Sequence, residues 1–435
     1  MSKSRELYER ALSVMPGGNS RLTVFSHPHP TYAAYGTGCT LVDVDGRSYL
    51  DFINNYTVLV HGHAHPAIVA AITGRLAKGS AFSLPTEAEV ELATLLTRRL
   101  PAVEHIRFTN SGTEAVMMAI KAARAYTGRP RIAKFEGAYH GTYDGAEVSQ
   151  NSRPEEWGPV ESPRSIPLAA GTPPGILADV VVLPFQNRAI CQQLIERHAR
   201  ELAAILVDPV PHRMGLIPAP PAFLSFLREI SRAYDILLIS DEVLSLRIGY
   251  HGAHGTLGFQ PDLITAGKIV GGGLPVGAVG GSAAVMSVFD PRQARVPVPH
   301  GGTFNGNPLT MAAGSTAMEM LTEDAVARLN NLGQQLRMKA NAIFASQGVP
   351  GQVTGAGSLF LLHPHDRPLT DYRSAVPTTE ENRRRERVCH YLQKHGILIS
   401  PTGLGCLSTP MTEVEVEAFT GVLEAAVKAE ASLAG

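Results

Sequence analysis

Apolar positions along the chain follow two periods, and the switch between them lays out its elements. The opening MSKSRELYERALSVM has helical spacing and stops at Pro16-Gly17-Gly18. TLVDVDGRSYLDFI (40–53) alternates polar and apolar residues around Asp45-Gly46, which predicts a hairpin. HIRFTNSG (105–112) predicts a strand running into a turn, and TEAVMMAIKAARAYTG (113–128) a helix with apolar residues three and four apart. RIAKFEGAYHG (131–141) predicts a further strand. LAAILVDPV (202–210) begins as an unbroken apolar run, as in a strand covered on both faces. PAFLSFLREISRAYD (221–235) then reads as an amphipathic helix and ILLISDEV (236–243) as a strand. These last three make a βαβ unit, with parallel strands and a right-handed crossover. Residues 149–175, SQNSRPEEWGPVESPRSIPLAAGTPPG, break the pattern. A loop of that length is more often functional or mobile than neutral. The expectation is an α/β chain. Residues 56–310 form a large domain with a mostly parallel sheet flanked by helices, and 311–435, joined by 1–55, form a smaller α+β domain.

Composition narrows the choice. The chain has 435 residues, 44% hydrophobic and 18% charged, enough for a sizeable core. Its net charge of −1 lacks the basic excess that nucleic acid or an anionic membrane surface requires. Arg383, Arg384, Arg385 and Arg387 cluster, but Glu380, Glu381 and Glu386 interleave with them as on a solvated helix face. Cys39, Cys191, Cys389 and Cys406 form no C-x-x-C pair, which suits a reducing cytoplasm. The N-terminus has no apolar signal region, and no run approaches the ~20 apolar residues of a membrane span. A soluble, cytoplasmic protein is expected.

Candidate chemistry gathers where strands end, the place at which open parallel sheets bind ligands. Ser111, Gly112 and Thr113 follow one strand, Tyr139 and His140 another, Asp241 a third. Lys268 follows a fourth, in TAGKIVGGG (265–273), and is one of only eight lysines. A lysine there is partly desolvated, which lowers its pKa and sharpens its nucleophilicity. Lys134 also sits on a strand, but Glu136 beside it predicts an ordinary salt bridge. NSGTEA reads as a capping box, with Ser111 the N-cap and Glu114 at the third helical position. Such a helix start also cradles phosphate. A Schiff-base lysine, a carboxylate for a ring nitrogen, a phosphate cradle and an aromatic face together match pyridoxal 5′-phosphate.

The motifs FTNSGTEA, KFEGAYHG, SDEV, TAGKIVGGGLPVGAVGG and GTFNGNP, in this order, resemble the class III, fold-type I aminotransferases. The similar subgroup is that of glutamate-1-semialdehyde aminomutases and β-amino-acid aminotransferases, and the likeness runs from PGGNSR (16–21) to TPMTEVEV. It implies that Lys268 joins the cofactor and shuttles a proton, with Asp241 on the pyridinium nitrogen. Val243 and Tyr139 would pack on the two ring faces, His140 beside them, and Ser111, Gly112 and Thr113 would hold the phosphate. Thr303 would reach the phosphate of a partner subunit in a homodimer, and Arg21 would bind a substrate carboxylate. The substrates implied are an amino acid, β- or aromatic in preference, and a 2-keto acid such as 2-oxoglutarate or pyruvate.

This chain departs from the family pattern in places that bear on substrate. Asp208-Pro209 replaces the usual Glu-Pro, and His212 stands where aminomutases have Asn, so His212 is a candidate substrate contact. Thr402 replaces the arginine of SPRG in β-phenylalanine-type relatives. The stretch 149–175 lacks the glycine-rich gate of the aminomutases, which favours intermolecular transfer. Among other classes, HGHAH (61–65) raises a metal-dependent hydrolase, but Gly62, Ala64 and Pro66 read as a turn and no metal is expected. The glycines near 271–281 fit neither G-x-G-x-x-G nor a Walker A motif. A non-catalytic regulator is disfavoured by the intact Lys268, Asp241 and Tyr139.

Overall fold

The computed structural model describes residues 2–434. Seven strands form its central sheet: β1 (His105–Thr109), β2 (Arg131–Phe135), β3 (Val180–Leu183), β4 (Leu202–Val207), β5 (Leu237–Asp241), β6 (Leu263–Gly267) and β7 (Gly277–Gly281). Their order is β1-β7-β6-β5-β4-β2-β3. β7 runs antiparallel to both its neighbours, and all other pairs are parallel. Sequence explains why β7 fits between β1 and β6. A side chain at Gly277 would overlap the Ser111 carbonyl and the Thr109 hydroxyl, so only glycine allows this approach.

Helices cover both faces. Leu202, Ile205 and Val207 of β4 pack with Leu194 and Phe223, while Ala204 and Leu206 face Val116 and Ile120 on the other side. Those contacts come from α1 (Gly112–Thr127), α2 (Arg188–His198) and α3 (Pro221–Ala233). Each large apolar side chain so buried contributes roughly 1.5–3 kcal/mol, which accounts for the unbroken apolar run in β4 and the helical period beside it.

The expected hairpin forms from Thr40–Asp43 and Ser48–Asp51. Ser48–Asp51 also pairs in parallel with Ile397–Leu398, so the two ends of the chain share one sheet. A second small sheet joins Gln352–Thr354, Leu359–His363 and Leu404–Cys406. Phe52, Phe360 and Phe419 meet between these parts with ring centroids 5.1 to 6.0 Å apart.

The irregular stretch after residue 149 is pinned rather than loose. The Tyr372 hydroxyl donates to the Ser152 carbonyl at 2.9 Å, and Arg373 donates to the Gly158 carbonyl at 3.0 Å. Arg373 also pairs with Glu136 (2.7 Å) and lies 5.2 Å from the Trp157 ring centre. Among the described residues no helix is long and apolar enough to cross a membrane.

Candidate active site

Beyond the carboxyl ends of β2, β4, β5 and β6 lies a cavity of about 690 Å³. Asp241 closes β5, and strand register sets it beside Thr265 of β6. The Thr265 hydroxyl and the Val243 amide donate to one carboxylate oxygen of Asp241 at 2.8 and 3.1 Å. His140 Nδ1 donates to the other at 2.6 Å. Burial alone pushes the Asp241 carboxyl up, but His140, Thr265 and Val243 outweigh it and hold the group below the ordinary carboxylate range. Burial also lowers His140, keeping its imidazole neutral, and leaves Nε2 buried without a partner. The result is a fixed negative charge that faces the cavity.

Lys268 follows β6 directly, at φ +48°. That left-handed conformation costs an L-residue roughly 1–2 kcal/mol, the kind of strain that clusters at functional sites. Burial lowers the pKa of its amine, with Asp241 and Asp208 partly opposing. Asp208, one residue past β4, is driven well above the carboxylate range by burial and by the nearby Asp241 charge.

α1 begins at the cavity. Ser111 Oγ accepts the Glu114 amide at 3.1 Å, as expected of an N-cap. The Glu114 carboxylate, however, accepts the Asn110 amide at 2.6 Å rather than that of Ser111, so the box closes one residue early. Gly112 is required here, because a Cβ would stand 2.8 Å from Val243 Cγ1. Gly112 and Thr113 line the cavity as the first residues of the helix, whose opening amides have no partner within it.

Tyr139 lines the same cavity as an exposed residue, and His212 meets its ring edge-on at 5.8 Å. Burial, helped by Arg213 and Lys268, pushes His212 down to about 3, so it is neutral. Arg21 lies at the rim, donating to Asn55 Oδ1 at 2.9 Å with its guanidinium 5.4 Å from the Tyr56 ring centre. Thr303 is not in this cavity. It lies exposed in a separate concavity with Phe82, Leu84 and Glu89.

Two sequence readings need correction or addition. Lys134 does not pair with Glu136, which Arg373 takes instead. It is fully buried and donates to the carbonyls of Ala138 and Val148, and burial lowers its pKa to about 7. Arg213, Asn55 and Tyr56 line the cavity and were missed. Arg213 had one faint signal, its position beside His212 at a strand end. The HGHAH stretch forms the turn its glycine and proline suggested, with His61 Nε2 on the Ala317 carbonyl and His63 Nε2 on Asp51, each at 2.8 Å.

Comparison with known proteins agrees with this geometry. The family description "Aminotransferase class-III" matches residues 24–429. An omega-transaminase structure from Sphaerobacter thermophilus superposes with a TM-score of 0.96 at 57% identity, covering 98% of this chain and 97% of its own. Glutamate-1-semialdehyde 2,1-aminomutase of Methanothermobacter thermautotrophicus is 38% identical over 98% of both chains. β-Phenylalanine transaminase of Variovorax paradoxus is 38% identical over 97% of this chain and 91% of its own.

Proposed function

Since the chain belongs to the class-III aminotransferases, enzymes that depend on pyridoxal 5′-phosphate, we propose that it moves an amino group from an amino acid, β- or aromatic in preference, to a 2-keto acid. The observation that carries this reading is the convergence on one cavity of Lys268, an ionised Asp241 and the open start of α1. A phosphorylated pyridine fits these groups. The absence of a side chain at Gly112 lets Val243 sit against the helix start, the first amides of the helix suit the phosphate, and Asp241 matches a protonated ring nitrogen. When bound, the cofactor supplies the electron sink that makes a substrate C–H bond acidic.

The protein's own groups do the rest. Gly112 and Thr113, with Ser111 capping the helix beside them, would hold the phosphate, and Val243 and Tyr139 would flank the ring. His140 fixes the Asp241 carboxylate. Lys268, whose amine is held toward its neutral form by burial, would take the proton from the substrate carbon and hand it back as general base and then acid. Arg21 binds the carboxylate of the substrate, with a guanidinium that can make two parallel hydrogen bonds, and His212 borders the substrate as a neutral ring. Thr303 reaches a second subunit's phosphate in a homodimer, from a surface where Phe82, Leu84 and Phe304 are exposed.

Intermolecular rather than intramolecular transfer is supported by residues 149–175. They do not line the cavity, and Tyr372 and Arg373 hold them down. The similarity to a named aminomutase favours the second reading. Spectra of the cofactor-loaded protein separate the two, taken with single donors and no keto acid present. Bleaching of the visible band by β-phenylalanine or an aromatic amino acid is the expected result. Response to glutamate-1-semialdehyde alone would reverse the choice.

A further inference from the structure

Arg213 is a cation whose partners do not account for it. It lies on the cavity wall with its guanidinium carbon 5.9 Å from the Tyr139 ring centre. Nη1 donates to the Gln150 carbonyl at 3.2 Å and to Asn151 Oδ1 at 2.9 Å. Nε is buried with no partner, and among the described residues no carboxylate pairs with it. Arg247, by contrast, uses Nε, Nη1 and Nη2 on three acceptors. The cavity offers Arg213 no compensating charge of its own. Asp241 is engaged by His140, Thr265 and Val243, and Asp208 is held toward its neutral form by burial. A half-buried guanidinium without an anion carries a desolvation cost that an anionic ligand would relieve.

A second observation concerns position 402. Thr402 lines the same cavity as an uncharged side chain, and its hydroxyl is already bonded to Ser400 Oγ at 2.9 Å. Position 402 therefore supplies no cation, and the loop after β4 does.

We propose that Arg213 is a specificity residue that binds the distal carboxylate of a dicarboxylic 2-keto acid acceptor, while Arg21 holds the carboxylate beside the reacting carbon. This rests on the aminotransferase reading. The same wall accepts an apolar donor, because the Tyr139 ring and the flat face of the guanidinium both pack against an aromatic group. One pocket thus takes an aromatic amino acid in one half-reaction and a diacid in the other.

Two measurements on the cofactor-loaded enzyme test it, with Arg213→Gln and Arg213→Lys beside the wild type. The first is a spectral titration with glutarate, a five-carbon diacid that cannot react. The second compares kcat/KM of the pyridoxamine form for 2-oxoglutarate and pyruvate. Arg213→Gln should weaken glutarate binding about 10- to 100-fold, the scale of a lost charge-assisted contact, and lower the 2-oxoglutarate to pyruvate ratio by a similar factor. Arg213→Lys should recover part of both. Equal losses for the two keto acids would reveal a prop for Tyr139 and overturn the proposal, as would a wild type that prefers pyruvate. A wild-type pyridoxamine form inert to every keto acid would sink intermolecular transfer instead, and the glutarate titration would still decide the role of Arg213.

Discussion

At the scale of single residues, the site works by holding groups in charge states that water would not give them. Asp241 stays ionised although buried because three donors point at it, while Asp208, with the Val210 amide as its hydrogen-bond donor at 2.9 Å, is driven toward its protonated form. The consequence for stability has a definite sign. A carboxyl with a raised folded-state pKa keeps its proton where the unfolded chain has lost it, so stability falls as pH rises from ~3.9 through the folded value. Asp208→Asn retains an acceptor for the Val210 amide and removes that titration. The cofactor-free variant should melt about 2–4 °C higher than wild type near pH 8, the shift produced by ~1 kcal/mol in a domain of ordinary size, with little difference near pH 4. A variant that melts lower near pH 8 would contradict the assignment. The two strand lysines show what sequence could and could not tell at this scale. Lys268 was legible from its apolar strand and the glycines after it. The partners of Lys134 were not, because the Ala138 and Val148 carbonyls reach it only through the fold of the loop beyond β2.

At the scale of elements, periodicity located the parallel strands and their helices well, because burial on two faces leaves a pattern in the residues themselves. The turn that carries Asn55 and Tyr56 left none. Asn54, Asn55, Tyr56 and Thr57 all have positive φ, from +48° to +73°, without a glycine among them. Each such residue costs roughly 1–2 kcal/mol in isolation, so the surroundings must impose the turn. Asp51 Oδ1 accepts the amides of Ile53 and Asn54 at 2.8 and 2.9 Å, and Arg247 donates to the Thr57 carbonyl at 3.0 Å. These constraints come from 190 residues away in sequence in the case of Arg247, beyond any local signal. Arg247→Met should therefore lower stability by about 2 kcal/mol or more, since it orphans buried acceptors. It should also raise the KM for a carboxylate substrate, because Arg21 rests on Asn55 and Tyr56. Calorimetry and steady-state kinetics together check this, and a stable variant with unchanged KM would refute the role given to the turn.

At the scale of the whole molecule, the segment around Tyr372 and Arg373 ties the C-terminal part of the chain to the loop that bears Tyr139 and His140. Gly137 makes the contact possible, since any Cβ there would overlap the Tyr372 ring. Breaking the largely buried Glu136–Arg373 pair should cost about 3 kcal/mol or more by leaving one charge unpaired. The local consequence is release of residues 149–165. Arg373→Met should hasten tryptic cleavage after Arg164 several-fold while the rest of the chain resists, as peptide mass analysis over time would show. Cleavage at the wild-type rate would mean that the stretch is held by other contacts. The composition of the stretch, rich in proline and glycine, announced a loop but not its anchor, which lies 237 residues beyond Glu136.

The central claim is that Lys268 is the residue that joins the cofactor. Borohydride reduction of the pyridoxal 5′-phosphate-loaded protein, followed by peptide mapping, reads that bond directly. A phosphopyridoxyl label confined to Lys268 is the expected result. A label on Lys134, the other strand lysine with a lowered pKa, or no label at all would contradict the account.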